Sequence, residues 1–415
     1  MADPQNPGVS GRIVFTFRAF LLYQLSRFFI VIATQMQSVA VGWQVYEITK
    51  RPLDLGLVGL AQFFPSILLF LVSGHVADRF DRRKVLVICC VGFAACWGTL
   101  FFLTERGVHS VFPIYVVLVL LGVVRSFNGP VSRSILPQLV PEEHFPAAVA
   151  WSSTMFQGAT ILGPTLGGIL YAVLRGPAGV YAIAAICATL AAIATLRIEM
   201  QSKPRHREPV NFKTVLAGIH YIWSKKIILG SISLDLFAVL LGGAVALLPV
   251  YASEILKTGP WGLGILRSAP GVGAGAMALF LANKPLRRRA GAAMLCCVAG
   301  FGAFTIVFGL SRSLAISLLA LALVGATDMV SVVVRGILIQ VATPDEMRGR
   351  VNAVDMIFIG ASNEFGQFES GLTAHWFGTV PAVVLGGIGT LAVTGLWAWF
   401  FPELRNADRL LVSKD

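Results

Sequence analysis

Four acidic residues lie inside long apolar stretches of the sequence, where an ionised side chain is costly. They are Glu364, Asp235, Glu369 and Asp328. A carboxyl group in such surroundings is suited to taking up and releasing a proton, so all four are candidates for proton coupling. At about 1.5 Å of helix rise per residue, Asp235 and Glu364 come nearest the middle of their stretches, whereas Asp328 and Glu369 fall in the second half of theirs. We rank Glu364 first, because its own helix supplies no basic neighbour, and Asp235 second.

Ion pairing is the alternative role for two of these acids. Arg335 follows Asp328 by two helical turns, and Arg267 enters the eighth apolar stretch, from where it could reach Asp235. A permanently paired carboxylate would hold helices together and would not titrate. The sequence leaves both roles open.

Polar and basic residues in the first half of the chain form a second set of candidates. Gln24, Arg27 and Gln35 recur at helical spacing in the first apolar stretch, and Arg125 and Asn128 add a basic, polar face to the fourth. Arg27 either extends to the membrane interface or faces a cavity. No acid embedded in this half matches either arginine, so a cavity that they line would favour an anionic substrate.

Composition and apolar run length indicate the elements that position these residues. The chain has 415 residues, of which 56% are hydrophobic and 13% charged, and its mean hydropathy is +0.76. Apolar runs long enough to cross about 30 Å of hydrocarbon as helices recur without strand-like alternation. We therefore expect an all-α polytopic membrane protein with about twelve transmembrane helices. Their approximate bounds are Phe20–Val45, Leu55–Ala77, Val85–Leu103, Val111–Val131, Phe145–Leu174, Val180–Ile198, Ile227–Tyr251, Gly262–Leu281, Ala290–Leu310, Leu314–Val334, Val351–Phe377 and Val380–Phe401.

Lysine and arginine residues concentrate in alternate connections between the apolar stretches, and this distribution predicts the orientation of the chain in the membrane. The basic side includes both termini, the segment 79–84 and the segment 203–226. The positive-inside rule places that side in the cytoplasm. The net charge of +12 is explained by this topology and by anionic lipid, so we do not expect nucleic acid as a partner.

The chain is expected to divide into two six-helix bundles related by an internal repeat. The sequence RSILPQLVPEEHFPAAVA from Arg133 matches RGILIQVATPDEMRGRVNAV from Arg335. We place the N-terminal bundle at 1–198, a cytoplasmic linker with an amphipathic helix at 199–226, the C-terminal bundle at 227–402 and a cytoplasmic tail at 403–415. Such pseudo-symmetric halves are typical of transporters that work by alternating access.

A charged gap, residues 74–84, separates the second and third apolar stretches. Its basic residues suit an anchor on the cytoplasmic side, but an anchor would not need aspartates. Asp78 is expected to bond a helix N-terminus or an arginine, and Gly74 to let helices approach closely. We interpret the segment as a conformational latch formed by Gly74, Asp78, Arg79, Arg82 and Arg83.

Glycines in the fifth apolar stretch predict close helix packing. Gly163, Gly167 and Gly168 form a small face, and Pro164 is expected to bend the helix. At a constant offset the first of these falls on Gly366 in the second half.

The gap Gly74-x-x-x-Asp78-Arg79-x-x-Arg82-Arg83 resembles the loop 2–3 signature of the major facilitator superfamily. Arg125-x-x-x-Gly129 and Gly163-Pro164-x-x-Gly167-Gly168 resemble its basic motif and its antiporter motif. The stretches LDLFAVLLGGAVALLPVYA and GASNEFGQFESGLTAHW look like the proton-linked drug-efflux branch, which includes enterobactin exporters and macrolide efflux pumps. The resemblance covers the whole chain.

This resemblance implies a secondary active exporter of the bacterial inner membrane, which exchanges an amphiphilic small molecule, either drug-like or a siderophore, for protons. It also implies that the span-four arginine, Arg125, takes part in proton transfer. The alternative is an uncoupled facilitator or a transporter that handles lipids or peptides. We expect no enzyme activity, no cofactor and no metal, and a monomer in contact with membrane lipids. An ATP-driven pump is disfavoured because no GxxxxGK[ST] phosphate loop occurs.

Overall fold

The structure, a computed structural model, describes residues 13–199, 212–284 and 289–407. Predictions for the two chain ends, for residues 200–211 of the linker and for the basic segment 285–288 lie outside these residues. The chain forms two units, of which unit 1 comprises Met1–Gln44 and Ala61–Val210, and unit 2 comprises Val45–Leu60 and Asn211–Asp415. This division differs from a single boundary near residue 198, because Val45–Leu60 groups with the second half of the chain.

Residues 13–199 are almost entirely helical because a chain in lipid must satisfy its backbone groups internally. Only Leu69 separates α2 from α3, and short 3₁₀ turns join α5 to α6. The helices are α1 Arg18–Thr49, α2 Pro52–Leu68, α3 Phe70–Arg79, α4 Arg82–Glu105, α5 Phe112–Ile135, α6 Phe145–Val173 and α7 Pro177–Leu196.

The second half repeats this architecture after one extra helix. That helix, α8, is the one expected in the linker, and it packs on α9 and α13. After α9 the chain continues through a 3₁₀ turn, Ala244–Leu247, and a π-helical turn, Tyr251–Ile255. The helices are α8 Phe212–Ser224, α9 Lys226–Leu241, α10 Gly259–Asn283, α11 Ala290–Leu310, α12 Leu314–Ala342, α13 Asp345–Phe377 and α14 Thr379–Phe400.

The described residues contain ten helical segments that are long and apolar enough to cross a membrane. The remaining two spans of the prediction are also helical: α2 with α3 forms the second, and α13, which has 33 residues but carries more charge, forms the eleventh. The all-α fold with twelve spans is therefore confirmed. Large apolar side chains such as Ile88, Leu279 and Trp399 are exposed on the helix surfaces, as expected for contact with lipid.

Close helix packing occurs at equivalent glycines in the two halves. A Cβ atom on Gly163 of α6 would lie 2.5 Å from Gln35 Cβ of α1, and one on Gly167 would lie 2.8 Å from Met36 Cα. In unit 2 a Cβ atom on Gly366 of α13 would lie 2.9 Å from the backbone oxygen of Val239 in α9. Each contact joins the fifth span of a half to the first span of that half, so the repeat extends to the packing.

Glycine also explains why the start of α2 belongs to unit 2. A Cβ atom on Gly56 would lie 3.0 Å from Phe368 Cα of α13, and one on Gly371 would lie 3.0 Å from Gly56 Cα. Two backbones can come this close only where side chains are absent.

Candidate functional site

A buried cluster of charges joins three helices of unit 2. The Arg335 guanidinium of α12 forms a salt bridge with Asp235 of α9, and its Nε lies 3.6 Å from Asp355 Oδ1 of α13. The side chains of Arg335 and Asp235 are only 4% and 7% exposed. Asp328 of α12 is close enough for its charge to interact with both Asp235 and Arg335. The cluster therefore combines three carboxyl groups with one guanidinium.

The structure assigns the ion pairs differently from the sequence. Arg335 bonds across to Asp235 on another helix, and Arg267 of α10 interacts electrostatically with Glu364. Arg267 is therefore not the partner of Asp235, and Glu364, ranked first for lack of a basic neighbour in its own helix, has one on α10. The helix that carries Asp328 runs to Ala342, beyond the predicted end at residue 334, so Asp328 lies at its midpoint and not toward one end.

Glu364 and Glu369 lie farther along α13 than Asp355. The Gln367 amide donates a hydrogen bond to Glu364 Oε2 at 3.3 Å, and Thr373 Oγ1 donates to Glu369 Oε1 at 2.7 Å. Nine residues, about 13 Å of helix, separate Glu364 from Asp355. The four acids of the prediction therefore divide into two groups, one with Asp235 and Asp328 and the other with Glu364 and Glu369.

Unit 1 contains a cavity of about 420 Å³ at the end of the bundle where α1 begins and α5 ends. Its wall includes Arg27 and Asn128, two of the predicted substrate residues, and also Arg133. None of the seventeen lining residues is acidic. The other polar and aromatic members of the wall are Tyr23, Ser26, Ser132, Phe145, Ser152, Ser153 and Phe156.

The Arg27 side chain is held in the cavity by neutral groups. It donates a hydrogen bond to Ser152 of α6, and its guanidinium carbon lies 5.4 Å from the centre of the Phe156 ring. The Tyr23 hydroxyl, which donates to the Ser132 carbonyl at 2.7 Å, also interacts with Arg27. The cation is thus fixed by hydroxyl groups and an aromatic face, as in other cation–π contacts.

Three further residues predicted for the cavity lie outside its wall. Gln24 is buried and accepts a hydrogen bond from Ser152 at 3.4 Å, whereas Gln35 packs against Gly163. Arg125 is exposed and donates to Gln62 Oε1 at 3.1 Å. The structure therefore brings together Arg27 and Asn128 with two residues that the prediction missed, Arg133 and Ser152. The signal for Arg133 was its place at the start of the internal repeat.

The charged gap after α3 is tied to the ends of neighbouring helices. Asp81 caps the N-terminus of α4 by accepting hydrogen bonds from the backbone amides of Arg83 and Lys84. Arg82 donates to the Ser134 carbonyl at the end of α5, and Arg83 donates to the Leu196 carbonyl at the end of α7. Cationic side chains at these positions satisfy the free carbonyl groups that helix ends present.

The remaining members of the predicted latch are Gly74, Asp78 and Arg79. The side chain of Asp78 lies outside the described residues, and Arg79 is exposed. A Cβ atom on Gly74 would meet no atom of the described residues within 4 Å, so the close helix approach expected there is not present in this structure.

The described residues contain no group of three or more acidic, histidine or cysteine side chains that could hold a metal ion. The described cysteines are all free thiols, and Cys90 lines the cavity of unit 1.

Comparison with known proteins decides the family. Residues 15–413 match the family described as transmembrane secretion effector, within the major facilitator superfamily. The chain belongs to this family. Enterobactin exporters EntS of Citrobacter koseri and of Escherichia coli strain K12 are each 26% identical to this family member, and each alignment covers 94% of both chains. The chain is therefore a transporter and not an enzyme.

Solved structures confirm the fold of this family member. A bacterial homologue of the iron transporter ferroportin superposes with a TM-score of 0.70 at 17% identity and covers 94% of this chain and 98% of its own. A D-xylose–proton symporter superposes with a TM-score of 0.68 at 17% identity, covering 93% and 98%. At this level of identity the likeness shows the fold alone, which is that of the major facilitator superfamily.

Proposed function

We propose that this chain is a secondary active exporter that exchanges an amphiphilic small molecule for protons across the bacterial inner membrane. Membership of the transmembrane secretion effector family and the similarity to enterobactin exporters support export of a siderophore or a drug-like compound. The proposal places both chain termini in the cytoplasm, as the distribution of basic residues predicts.

The observation that carries proton coupling is the charge balance of the buried cluster in unit 2. Three carboxyl groups, from Asp235, Asp328 and Asp355, surround one guanidinium, that of Arg335. If all four groups were charged, uncompensated negative charge would remain among apolar helices, which is costly. Binding a proton removes part of this excess, so the cluster is suited to hold and release one.

Asp328 is the member of the cluster best suited to exchange the proton. Asp235 and Asp355 both contact Arg335, whereas Asp328 interacts with that arginine at longer range and lies at the middle of α12. Asp235 sits beside Asp328 and is the second candidate. Glu364 and Glu369 rank after them, because both lie outside the cluster in which three carboxyl groups share one arginine: Glu364 has the charge of Arg267 nearby, and Glu369 accepts a hydrogen bond from a threonine hydroxyl.

The latch remains part of the proposal as a conformational element. Arg82 and Arg83 anchor the charged gap to the ends of α5 and α7. A segment tied to two helix ends is a suitable point for the packing of those helices to change during transport.

The experiment measures transport by the full-length protein in liposomes that contain a pH-sensitive dye. The probe is enterobactin, the compound that appears in the names of the related exporters. We expect an imposed proton gradient to drive enterobactin movement and enterobactin addition to move protons. Asp328→Asn should abolish both couplings, and Asp235→Asn should reduce them. Glu105→Gln, an exposed residue at the end of α4, is the control and should behave as wild type.

If the wild type transports enterobactin at the same rate with and without a proton gradient, the protein is an uncoupled facilitator and this proposal is wrong. If Asp328→Asn kept full coupling, the cluster would be structural. If Glu364→Gln lost the coupling instead, the transported proton would bind to the group formed by Glu364 and Glu369.

A further inference from the structure

We propose that the hydroxyl group of Ser331 relays a proton between Asp328 and Asp355 inside the buried cluster of unit 2. The proposal deepens the exporter function above and rests on its proton coupling, because it names the route by which a proton reaches Asp328 and leaves it. Ser331 acts in this route as a neutral proton-transfer group between two carboxyl groups.

Ser331 lies on the face of α12 that carries the cluster. It follows Asp328 by three residues and precedes Arg335 by four. Side chains at these spacings are neighbours on a helix surface, with Cβ atoms about 5–6 Å apart. The residue is only 2% exposed, so its side chain points into the interior of the unit and not toward lipid. Asp328 therefore has a hydroxyl group one helical turn along, in the direction of the arginine.

The Ser331 hydroxyl has no hydrogen-bond partner among the described residues. A serine inside a helix can satisfy its hydroxyl by donating to the carbonyl one turn earlier, as Ser126 and Ser268 do in this chain. Buried polar groups without partners are rare in folded proteins, and each one calls for an explanation. A hydroxyl accepts one hydrogen bond while it donates another, which is the property that a proton relay requires.

Asp355 supplies the acceptor for the proton. Its Oδ1 atom is buried and forms no hydrogen bond to any other part of the chain that the structure describes. Arg335 Nε lies 3.6 Å from that oxygen, which is beyond hydrogen-bond length, so the ion pair leaves the oxygen able to accept a hydrogen bond. The Ser331 hydroxyl can reach it directly or through one bridging water molecule.

The transfer conserves charge within the cluster. The O–H bond of protonated Asp328 breaks as its proton passes to the Ser331 oxygen, and the original hydroxyl proton of Ser331 passes to Oδ1 of Asp355. After the transfer Ser331 is again neutral, Asp328 is ionised and Asp355 is protonated. The reverse sequence of steps loads Asp328 again.

The helices packed against α12 leave Asp355 as the acceptor. The helix α11, Ala290–Leu310, contains no charged residue, and the single charged residue of α10, Arg267, interacts with Glu364. Asp235 of α9 is held by its salt bridge with the cluster arginine. The remaining carboxylate of the cluster is therefore the one available to accept the proton.

The route leads from the middle of the helices toward one end of unit 2. Only two residues join the end of α12 at Ala342 to the start of α13 at Asp345, so these helix ends lie on the same side of the unit. At about 1.5 Å of rise per residue, Asp328 lies about 21 Å from this end of α12, and Asp355 lies about 15 Å from this end of α13. A proton on Asp355 is therefore closer to the predicted cytoplasmic side, where protons that drive export are released.

The test compares Ser331→Thr with Ser331→Val in the full-length protein in liposomes. Threonine and valine have nearly the same shape, so the two variants disturb packing to a similar extent and differ in the hydroxyl group. The readout is the initial rate of enterobactin transport driven by a proton gradient. Ser331→Val should slow this rate about 10- to 100-fold, because a positioned proton-transfer group contributes about 100-fold or more and water replaces part of that effect. Ser331→Thr should stay within about threefold of the wild type, because it retains a hydroxyl group for the transfer.

Two controls separate a relay from a structural role. Thr327→Val removes a hydroxyl group one turn earlier on α12 that already donates to backbone carbonyl groups, and it should keep the wild-type rate. The affinity for enterobactin, measured by isothermal titration calorimetry without a proton gradient, should be unchanged in Ser331→Val, because the relay moves protons and does not hold the substrate. If Ser331→Val does not fold, Ser331→Ala, which adds no volume, takes its place and should also be slowed.

Three results would overturn the relay. They are equal rates in Ser331→Val and Ser331→Thr, an equally large loss of rate in Thr327→Val, and loss of enterobactin affinity together with rate in Ser331→Val. If Ser331→Ala is the variant used, a wild-type rate overturns the relay in the same way. A wild type that responds to the proton gradient while Ser331→Val keeps full coupling refutes the relay alone, whereas a wild type that does not respond refutes proton coupling itself.

Discussion

Replacing Arg335 with glutamine tests whether the buried cluster of unit 2 depends on one cation. The substitution leaves the carboxyl groups of Asp235, Asp328 and Asp355 together without the guanidinium that they share. Both partners of the direct salt bridge are less than a tenth exposed, so water cannot replace the lost charge. Removing one member of a buried ion pair costs about 3–5 kcal/mol.

Replacing an acidic member of the cluster should lower the free energy of unfolding by less than replacing Arg335 does. In Asp235→Asn the arginine still has Asp355 at 3.6 Å, and the loss is that of one hydrogen bond to a charged group, about 1.5–3 kcal/mol. The double variant Asp235→Asn/Arg335→Gln removes an acid together with the base. We expect its free energy of unfolding to exceed the value predicted by adding the two single losses by about 1–3 kcal/mol.

The assay is thermal unfolding of the full-length protein in one detergent at a fixed scan rate, since unfolding of such proteins is often irreversible. For a unit of about 220 residues, 1 kcal/mol corresponds to about 2–4 °C. Arg335→Gln should therefore lower the midpoint by about 6–20 °C. Arg405→Gln, an exposed residue after α14, should leave it unchanged. A folded Arg335→Gln with a wild-type midpoint, or strictly additive losses in the double variant, would refute the reasoning.

Three further comparisons between variants test local features by the same thermal assay. Gly167→Val should lose about 1–3 kcal/mol because its side chain would overlap the backbone of α1, whereas Gly74→Ala should be neutral or slightly stabilising because a Cβ atom there meets nothing described; equal midpoints for the two would contradict the packing argument. Asp81→Ala should lose about 1 kcal/mol by removing the cap of α4, and Asp81→Ser should restore most of it; no recovery in the serine variant would mean that the cap is not the cause. Tyr46→Phe should lose about 1.5–3 kcal/mol because the Tyr46 hydroxyl donates to the Glu254 carboxylate within unit 2, and it should lose only about 0.5–1.5 kcal/mol in a Glu254→Gln background, where a neutral amide oxygen accepts the bond; equal losses in the two backgrounds would contradict a hydrogen bond to a charged group.

Much of the fold could be predicted because lipid leaves the chain few options. Apolar runs of fixed length must become helices, so the twelve spans follow from run length alone. The ends of the helices do not follow from run length, because polar residues continue a helix beyond the apolar run. The extension of α12 to Ala342 is an example, and it moves Asp328 from one half of its predicted span to the midpoint of the helix.

Partners across helices could not be predicted, because they depend on which helix faces meet. The two-turn spacing favoured Arg335 with Asp328, yet the guanidinium bonds Asp235 on α9. The same limit explains the substrate residues. Arg125 and Asn128 are neighbours on one face of α5, but the first bonds Gln62 and only the second lines the cavity.

A duplicated gene retains what both copies require and can alter the rest. Gly163 and Gly366 are required in both copies, because each sits where two helices touch through their backbones. Eleven residues earlier in the same two helices, an interior position differs between the copies: the first has Ser152 and the second has Asp355. The second half could thus acquire a buried carboxylate while the first half kept a neutral hydroxyl at the equivalent position, with the close packing of the helices retained in both. Duplication in this way supplies two copies of a single scaffold whose interiors are free to specialise.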